Sequence, residues 1–176
     1  MKASSAVQPA AISDLREIAQ LARTIWHRHY PGIISVAQID YMLGRMYALN
    51  VMQQEMTVED VVYFRAGMPG AMLGFAAVGP LPEPGRFKLH KLYVHPDSQR
   101  QGWGRALLAA VLEHVRRHHG RTLELAVNKR NSVALAAYER FGFRKCAEVC
   151  APIGEGYVMD DFILELEVTV GGHPTL

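Results

Sequence analysis

The sequence predicts an α/β fold: a mixed, mostly antiparallel seven-stranded sheet flanked by four helices, with one β-α-β crossover. Three observations predict it. Short strand-like runs alternate with helix-like ones along the whole chain. Gly67-Met68-Pro69-Gly70 lies between two such runs and reads as the turn of an antiparallel hairpin. In the middle of the chain a strand, a glycine-containing turn, an amphipathic helix and a further strand follow one another, an order that calls for a parallel pair.

Taken in order, Ala6-Val7-Gln8 is a first strand, and Ser13-Asp14 then caps a helix carrying Leu15, Ile18, Leu21, Ala22 and Ile25 on one face. Pro31-Gly32 stops it. Ser35 followed by Gln38 forms a capping box that opens a second helix through Ile39, Met42, Leu43, Met46 and Leu49. The hairpin strands run over Val61–Arg65 and Met72–Val78, and Pro80, Pro82, Pro84 and Gly85 make the next loop. A strand from Phe87 to Val94 ends at Pro96, and the helix after it turns Leu107, Leu108, Val111, Leu112 and Val115 inward until Gly120. A strand over Thr122–Val127, a helix over Ser132–Phe141, and strands over Phe143–Ala151 and Tyr157–Val168 complete the pattern, with Gly171–Leu176 expected to fray.

With 176 residues, 49% of them hydrophobic, the chain has the size and apolar content of one domain spanning 1–176 with its core at about 6–168, which excludes a disordered tail or a multidomain enzyme. Cys146 and Cys150 have no further cysteine partners, so neither a disulfide framework nor a cysteine-rich zinc site can be built, and a reducing cytoplasm is the expected compartment. The apolar runs fall well short of the roughly 18 residues of a membrane span. Met1 to Ser5 leads into a short strand instead of an extended apolar stretch, so no signal peptide is expected. The net charge of +2 conceals an asymmetry: residues 86–145 hold 13 basic and 4 acidic side chains, the remainder 6 basic and 13 acidic. That division suits an anionic ligand in one place and a cationic one in another. Nucleic acid is disfavoured, because no Lys/Arg cluster is interleaved with stacking aromatics.

Two stretches carry chemistry. Gln99-Arg100-Gln101-Gly102-Trp103-Gly104-Arg105 lies directly between a strand and a helix, where glycines let a ligand approach the backbone and unpaired helix amides offer donors to a pyrophosphate. It is not a Walker loop, since no Gly-Lys-Ser/Thr follows, and it lacks the third glycine of the dinucleotide fingerprint. After the next strand, Asn131 and Tyr138 stand seven residues apart, about two helical turns, and can line an extended ligand arm with an amide and a phenol. The histidines form no metal pattern: His27 and His29 fall on different helix faces, and His118-His119 sit at a helix end.

With both stretches in this order the chain resembles the GCN5-related N-acetyltransferase (GNAT) superfamily over roughly Ala6 to Val168, and Gln99-Arg100-Gln101-Gly102-Trp103-Gly104 matches its Q/R-x-x-G-x-G/A motif. The resemblance implies acetyl-CoA as cosubstrate, with its pyrophosphate on the amides of Arg100, Gln101, Gly102, Trp103, Gly104 and Arg105. It implies a pantetheine arm held by the backbone of Leu92, Tyr93 and Val94 and by Asn131, an oxyanion donor at the Val94 N–H, and Tyr138 as general acid. The reaction expected is direct transfer of acetyl to a primary amine in a ternary complex. Leu92-Tyr93-Val94, Asn128-x-x-Asn131 and the ending Gly154 to Asp161 resemble, more loosely, the bacterial polyamine acetyltransferases.

Many family members carry a basic Glu on the fifth strand where this chain has Ala126. His90 is the expected replacement, because the period of two places it on the face of Leu92 and Val94 and an imidazole suits proton acceptance; Glu124 is the reserve. Trp26, Tyr30, Tyr41 and Tyr47 belong to helices that roof the acceptor pocket in this family, and Tyr30 is taken as substrate-binding. Asp160 and Asp161 are expected to recognise a small cationic amine, one of the two facing the pocket, so that an acceptor with a second charge gains. The alternatives are a protein N-terminal acetyltransferase or a non-catalytic CoA-binding sensor or partner domain. No metal, nucleic-acid or membrane partner is expected, and the chain is compatible with a homodimer.

Overall fold

A computed structural model describes residues 7–68 and 70–168. Ala6 of the expected first strand, Pro69 of the hairpin turn, the opening Met1 to Ser5 and the tail expected to fray lie outside the described residues. The first strand, β1 (Val7–Pro9), leads through a 3-10 turn over Ile12–Asp14 into α1 (Leu15–His29). The cap differs from the expected one: Asp14 closes the turn by accepting the Ala11 N–H at 2.8 Å, and Ser13 makes no capping bond. Helix α1 buries Leu15, Ile18, Leu21, Ala22, Ile25 and Trp26, an apolar stripe at helical spacing.

Helix α2 (Val36–Met46) is capped by Ser35, whose hydroxyl accepts the Gln38 N–H at 3.1 Å. Only half of the capping box forms, because the Gln38 amide reaches instead to the carbonyl of Val158, at 2.8 Å. The helix stops at Met46 and not at Leu49. Tyr47 leaves helical geometry and buries its ring edge-on against Trp26 and Phe75, and Ala48 is extended. A further helix, α3 (Leu49–Thr57), begins there, so the described residues form five α-helices where four were expected.

Strands β2 (Val62–Met68), β3 (Ala71–Pro80) and β4 (Arg86–Val94) form an antiparallel meander. Helix α4 (Trp103–Arg117) crosses to β5 (Thr122–Asn128), and α5 (Ser132–Arg140) precedes the hairpin of β6 (Arg144–Gly154) and β7 (Tyr157–Glu167). Glu155 and Gly156 both have positive φ, the geometry of a two-residue hairpin turn. The seven strands lie in the order β1-β2-β3-β4-β5-β7-β6, and β4–β5 is the parallel pair.

The sheet carries α1, α2 and α3 on one face, over a core that includes Ile18, Trp26, Ile39, Met52, Tyr63 and Phe75. Helices α4 and α5 cover the other, over Leu107, Leu108, Val111, Leu123, Leu125 and Phe143. A buried ion pair lies on the first face. The Lys91 ammonium, with its side chain 2% exposed, meets both oxygens of Glu55 on α3 at 2.7 and 2.9 Å and stands over the rings of Tyr47 and Tyr63. Among the described residues no helix is long and apolar enough to cross a membrane.

Candidate active site

Strands β4 and β5 are paired only over Arg86–Lys88 and Thr122–Glu124. Beyond these residues they diverge, and a cavity of about 230 Å³ opens between them. Its wall takes His90 to Tyr93 from β4, Leu125 to Asn128 from β5, Asn131 and Tyr138 from α5, and Trp26, Tyr30 and Gln38 from the helices of the opposite face. The opening therefore passes through the sheet. A ligand lying against the α4/α5 face can be reached from the α1–α3 face.

On the α4 side, Gly102 caps the helix with φ +89 and Arg100 has φ +61, so the chain turns sharply just before Trp103. The N–H groups of the first helical turn have no acceptor within the helix, and the helix dipole adds positive potential at the same place. A Cβ added at Gly104 would meet only a methyl of Val94, at 3.8 Å. Packing therefore does not require glycine there. Arg100, Gln101 and Arg105 are exposed, and Trp103 leans on the core.

Asn131 is buried and stands as the cap of α5, its Oδ1 accepting the Ala134 N–H at 3.2 Å with His29 Nε2 at 3.1 Å. The same side chain also hydrogen-bonds towards the Tyr30 hydroxyl. Tyr138 packs edge-on against Phe143 with ring centroids 5.5 Å apart, and its hydroxyl has no partner among the described residues. Burial, with the nearby Tyr30 adding to it, holds its phenol well above the usual tyrosine range. Tyr30 lies 4.7 Å from Trp26 ring to ring and shares a hydrogen bond with the Tyr93 hydroxyl at 3.2 Å. The Trp26 indole N–H and the Tyr47 hydroxyl are buried without a partner among the described residues. Arg130 holds the α1–α2 loop against this end of the sheet by donating to the carbonyls of Ile33 and Gly32 at 2.8 and 2.7 Å.

The expected face of His90 is not the one observed. A bulge in β4 leaves His90 without a partner on β3, as Ala77 pairs with Lys91 and Val78 with Leu89. The extra residue shifts the alternation. Leu92 and Val94 pack with the α4 core, whereas the His90 ring lies over Gly79 beside Val61, on the α1–α3 side. Burial pushes its pKa down to about 4, and the charges of Lys91 and Lys88 act in the same direction. At neutral pH it is an uncharged but weak proton acceptor. Glu124 is engaged elsewhere: it pairs with Arg86 at 2.8 Å, which also binds Glu165, at the closed end of the divergence.

Asp160 and Asp161 point to opposite faces. Asp160 is exposed and paired with Lys129 at 2.7 Å, outside the cavity. Asp161 is 4% exposed, lines the cavity, and has neither a hydrogen bond nor an ion pair from its side chain among the described residues. Burial pushes its pKa up to about 6, with the Asp160 charge adding and Lys88 and Lys129 opposing. Sequence reasoning missed Glu55, Lys88, Gln38 and Arg130. A lysine at an inward position of a strand does signal a buried anionic partner, but not which one. Among the described residues no group of three or more His, Cys, Asp or Glu is placed to hold a metal ion.

The sequence model of the acetyltransferase (GNAT) family matches residues 18–143. The chain is similar to spermidine N(1)-acetyltransferase of Thermoplasma acidophilum, 23% identical over 142 residues that cover 78% of this chain and 87% of that one. It is also similar to the ribosomal protein bS18 alanine N-acetyltransferase of Escherichia coli, 34% identical over 87 residues that cover 49% of this chain and 57% of that one. Among solved structures, PaiA N-acetyltransferase from Thermoplasma acidophilum in complex with coenzyme A superposes with a TM-score of 0.76 over 92% of this chain and 97% of that one, at 22% identity.

Proposed function

The chain belongs to the GNAT acetyltransferase family and is an N-acetyltransferase, and from that premise we propose that it moves acetyl from acetyl-CoA to the primary amine of a small cationic acceptor. The single observation that carries this reading is the opening between β4 and β5, walled by Asn131 and Tyr138 of α5 on one side and by an aromatic chamber holding an unpaired carboxylate on the other. Acetyl-CoA supplies the activated acyl group. The amides from Arg100 to Arg105 bind the pyrophosphate, with Arg100 and Arg105 adding charge. The backbone of Leu92, Tyr93 and Val94 and the amide of Asn131 hold the arm, and the Val94 N–H donates to the oxyanion as it develops. Tyr138 donates to the departing sulfur.

The acceptor enters from the α1–α2 side, where Trp26, Tyr30 and Tyr93 offer ring faces to an ammonium and Asp161 offers its charge. A cavity of about 230 Å³ leaves room for an acyl group and a short amine chain and excludes all but the first residue or two of a peptide. The two exposed cysteines and the choice of cosubstrate suit a reducing cytoplasm. The test is a screen for acetyl-CoA-dependent thiol release with a monoamine, a diamine, spermidine and short peptides with free N-termini. A small amine is expected to exceed every peptide by at least about tenfold in kcat/KM, a margin set by desolvated ionic and hydrogen-bonded recognition. A better peptide would make this an N-terminal acetyltransferase, and no turnover with any amine would leave a CoA-binding domain.

A further inference from the structure

We infer that Asp161 is the proton acceptor for the reacting amine: the carboxylate that β7 projects into the cavity receives the acceptor ammonium and removes its proton. The inference rests on the acetyl-transfer reading above. Of the acidic side chains at this cavity and its closed end, Glu55 is neutralised by Lys91 and Glu124 by Arg86, while Asp160 stands outside with Lys129. Asp161 alone is buried at the cavity wall with no partner among the described residues. Burying an unpaired carboxylate is costly unless a ligand completes it. An ammonium is the ligand that does so, and one carboxylate accommodates one ammonium.

The position also suits the chemistry. Asp161 pairs with Asn128 across β5–β7 and so approaches the divergence from the α1–α2 face, while Tyr138 approaches from the α5 face. Tyr30 lies between them, near enough to feel the charge of Asp161 and to influence the Tyr138 phenol. Asp161 takes one proton from the ammonium, giving a neutral amine whose lone pair forms the C–N bond as the C–S bond breaks. The sulfur leaves with the Tyr138 proton, the phenolate recovers one from the nitrogen, and Asp161 releases its own to solvent. The sum is ammonium plus acetyl thioester to acetamide, thiol and one proton. The groups facing Asp161 are Lys88 on β4, Lys129 after β5, Asp160 beside it and Tyr30 on α1, with uncharged Asn128 and Val149 as its partners on β5 and β6.

The assignment fixes the pH dependence. The carboxylate must be ionised, so kcat/KM falls as pH drops through about 6 and is level above it until the acceptor loses its own proton near about pH 10. Without the carboxylate only acceptor that is already neutral reacts, about one molecule in a thousand at pH 7, and kcat/KM rises about tenfold per pH unit across the former plateau.

Asp161→Asn is expected to replace the plateau with that slope and to lower kcat/KM about ten- to a hundredfold at pH 7. A monoamine and a diamine should lose equally, and the thermal shift given by acetyl-CoA should be retained. Asp161→Glu is expected to keep a plateau at reduced rate, and it serves as the second variant should Asp161→Asn not fold. A wild-type profile that rises steadily from pH 6 to 9 overturns the assignment by itself. So does loss of the plateau in His90→Gln but not in Asp161→Asn, or an Asp161→Asn penalty confined to the diamine, which would place Asp161 on the distal charge. Absence of wild-type turnover with every amine would instead remove the reading on which the inference rests.

Discussion

Replacing Tyr138 with Phe is expected to lower kcat by about ten- to a thousandfold, the range for loss of a positioned proton donor. The ring needs no hydroxyl to stay in place, since it packs on Phe143 and against the α4 core. Its hydroxyl bonds to none of the described residues, so removing it leaves no orphaned partner. Burial keeps the phenol protonated, which makes it a donor at every pH where the fold persists. Because a phenol near about 10 in water is a weaker acid than a thiol near about 8.5, the donor acts by hydrogen bonding as charge gathers on sulfur. The decisive readout is the division of effects: kcat falls while the melting temperature and the acetyl-CoA shift stay at wild-type values. A kcat within twofold of wild type against the best acceptor would remove Tyr138 from the reaction.

Gly104→Val is expected to abolish most of the stabilisation by acetyl-CoA. At a ligand concentration about a hundred times Kd the wild type gains about 2.7 kcal/mol. For a chain of this length that corresponds to roughly 5–10 °C in Tm. Outside the helix's own backbone, an added Cβ there meets only a methyl of Val94, at 3.8 Å, and the melting temperature without ligand checks that the fold accepts the branched side chain. What it obstructs is the approach of a pyrophosphate to the amides of Trp103, Gly104 and Arg105. Gly102→Val is the less clean experiment, although the sequence puts both glycines on the same footing. Gly102 has φ +89, and a side chain there carries a backbone strain of about 1–3 kcal/mol unconnected with any ligand. Wild-type thermal shift and heat of binding in Gly104→Val would show that the loop does not hold the cosubstrate.

The elements were largely legible because each depends on short-range pattern. The helical stripe from Leu15 to Ile25, the hairpin glycines and the strand-turn-helix-strand run all reappear in the structure. What was illegible depends on choices made across the chain. The end of α2 at Met46 is set by Tyr47 finding Trp26 and Phe75, and nothing within a helical turn of Tyr47 announces those partners. Helix α3 follows from that break and brings Glu55 to Lys91, 36 residues away in sequence. The face of His90 was misread for a similar reason: alternation by two holds only in an uninterrupted ladder, and the bulge is visible only in the register of β3 on β4. For Asp160 and Asp161 strand alternation dictates that one faces in, but which one follows from the pairing of Asp161 with Asn128 and of Asp160 with Lys129.

The divergence of β4 from β5 also bears on how the molecule holds together. The two halves of the sheet share a ladder only three residue pairs long, although the apolar core runs unbroken beneath it through α4. Backbone groups bordering the gap have no strand opposite them and belong to the part of the structure that opens at little free-energy cost. Along the backbone the two halves are coupled only at the closed end of the gap. If the acetyl-CoA arm lies in the gap as proposed, it takes the place of the missing strand, and binding is expected to sharpen the cooperativity of unfolding as well as to raise its midpoint.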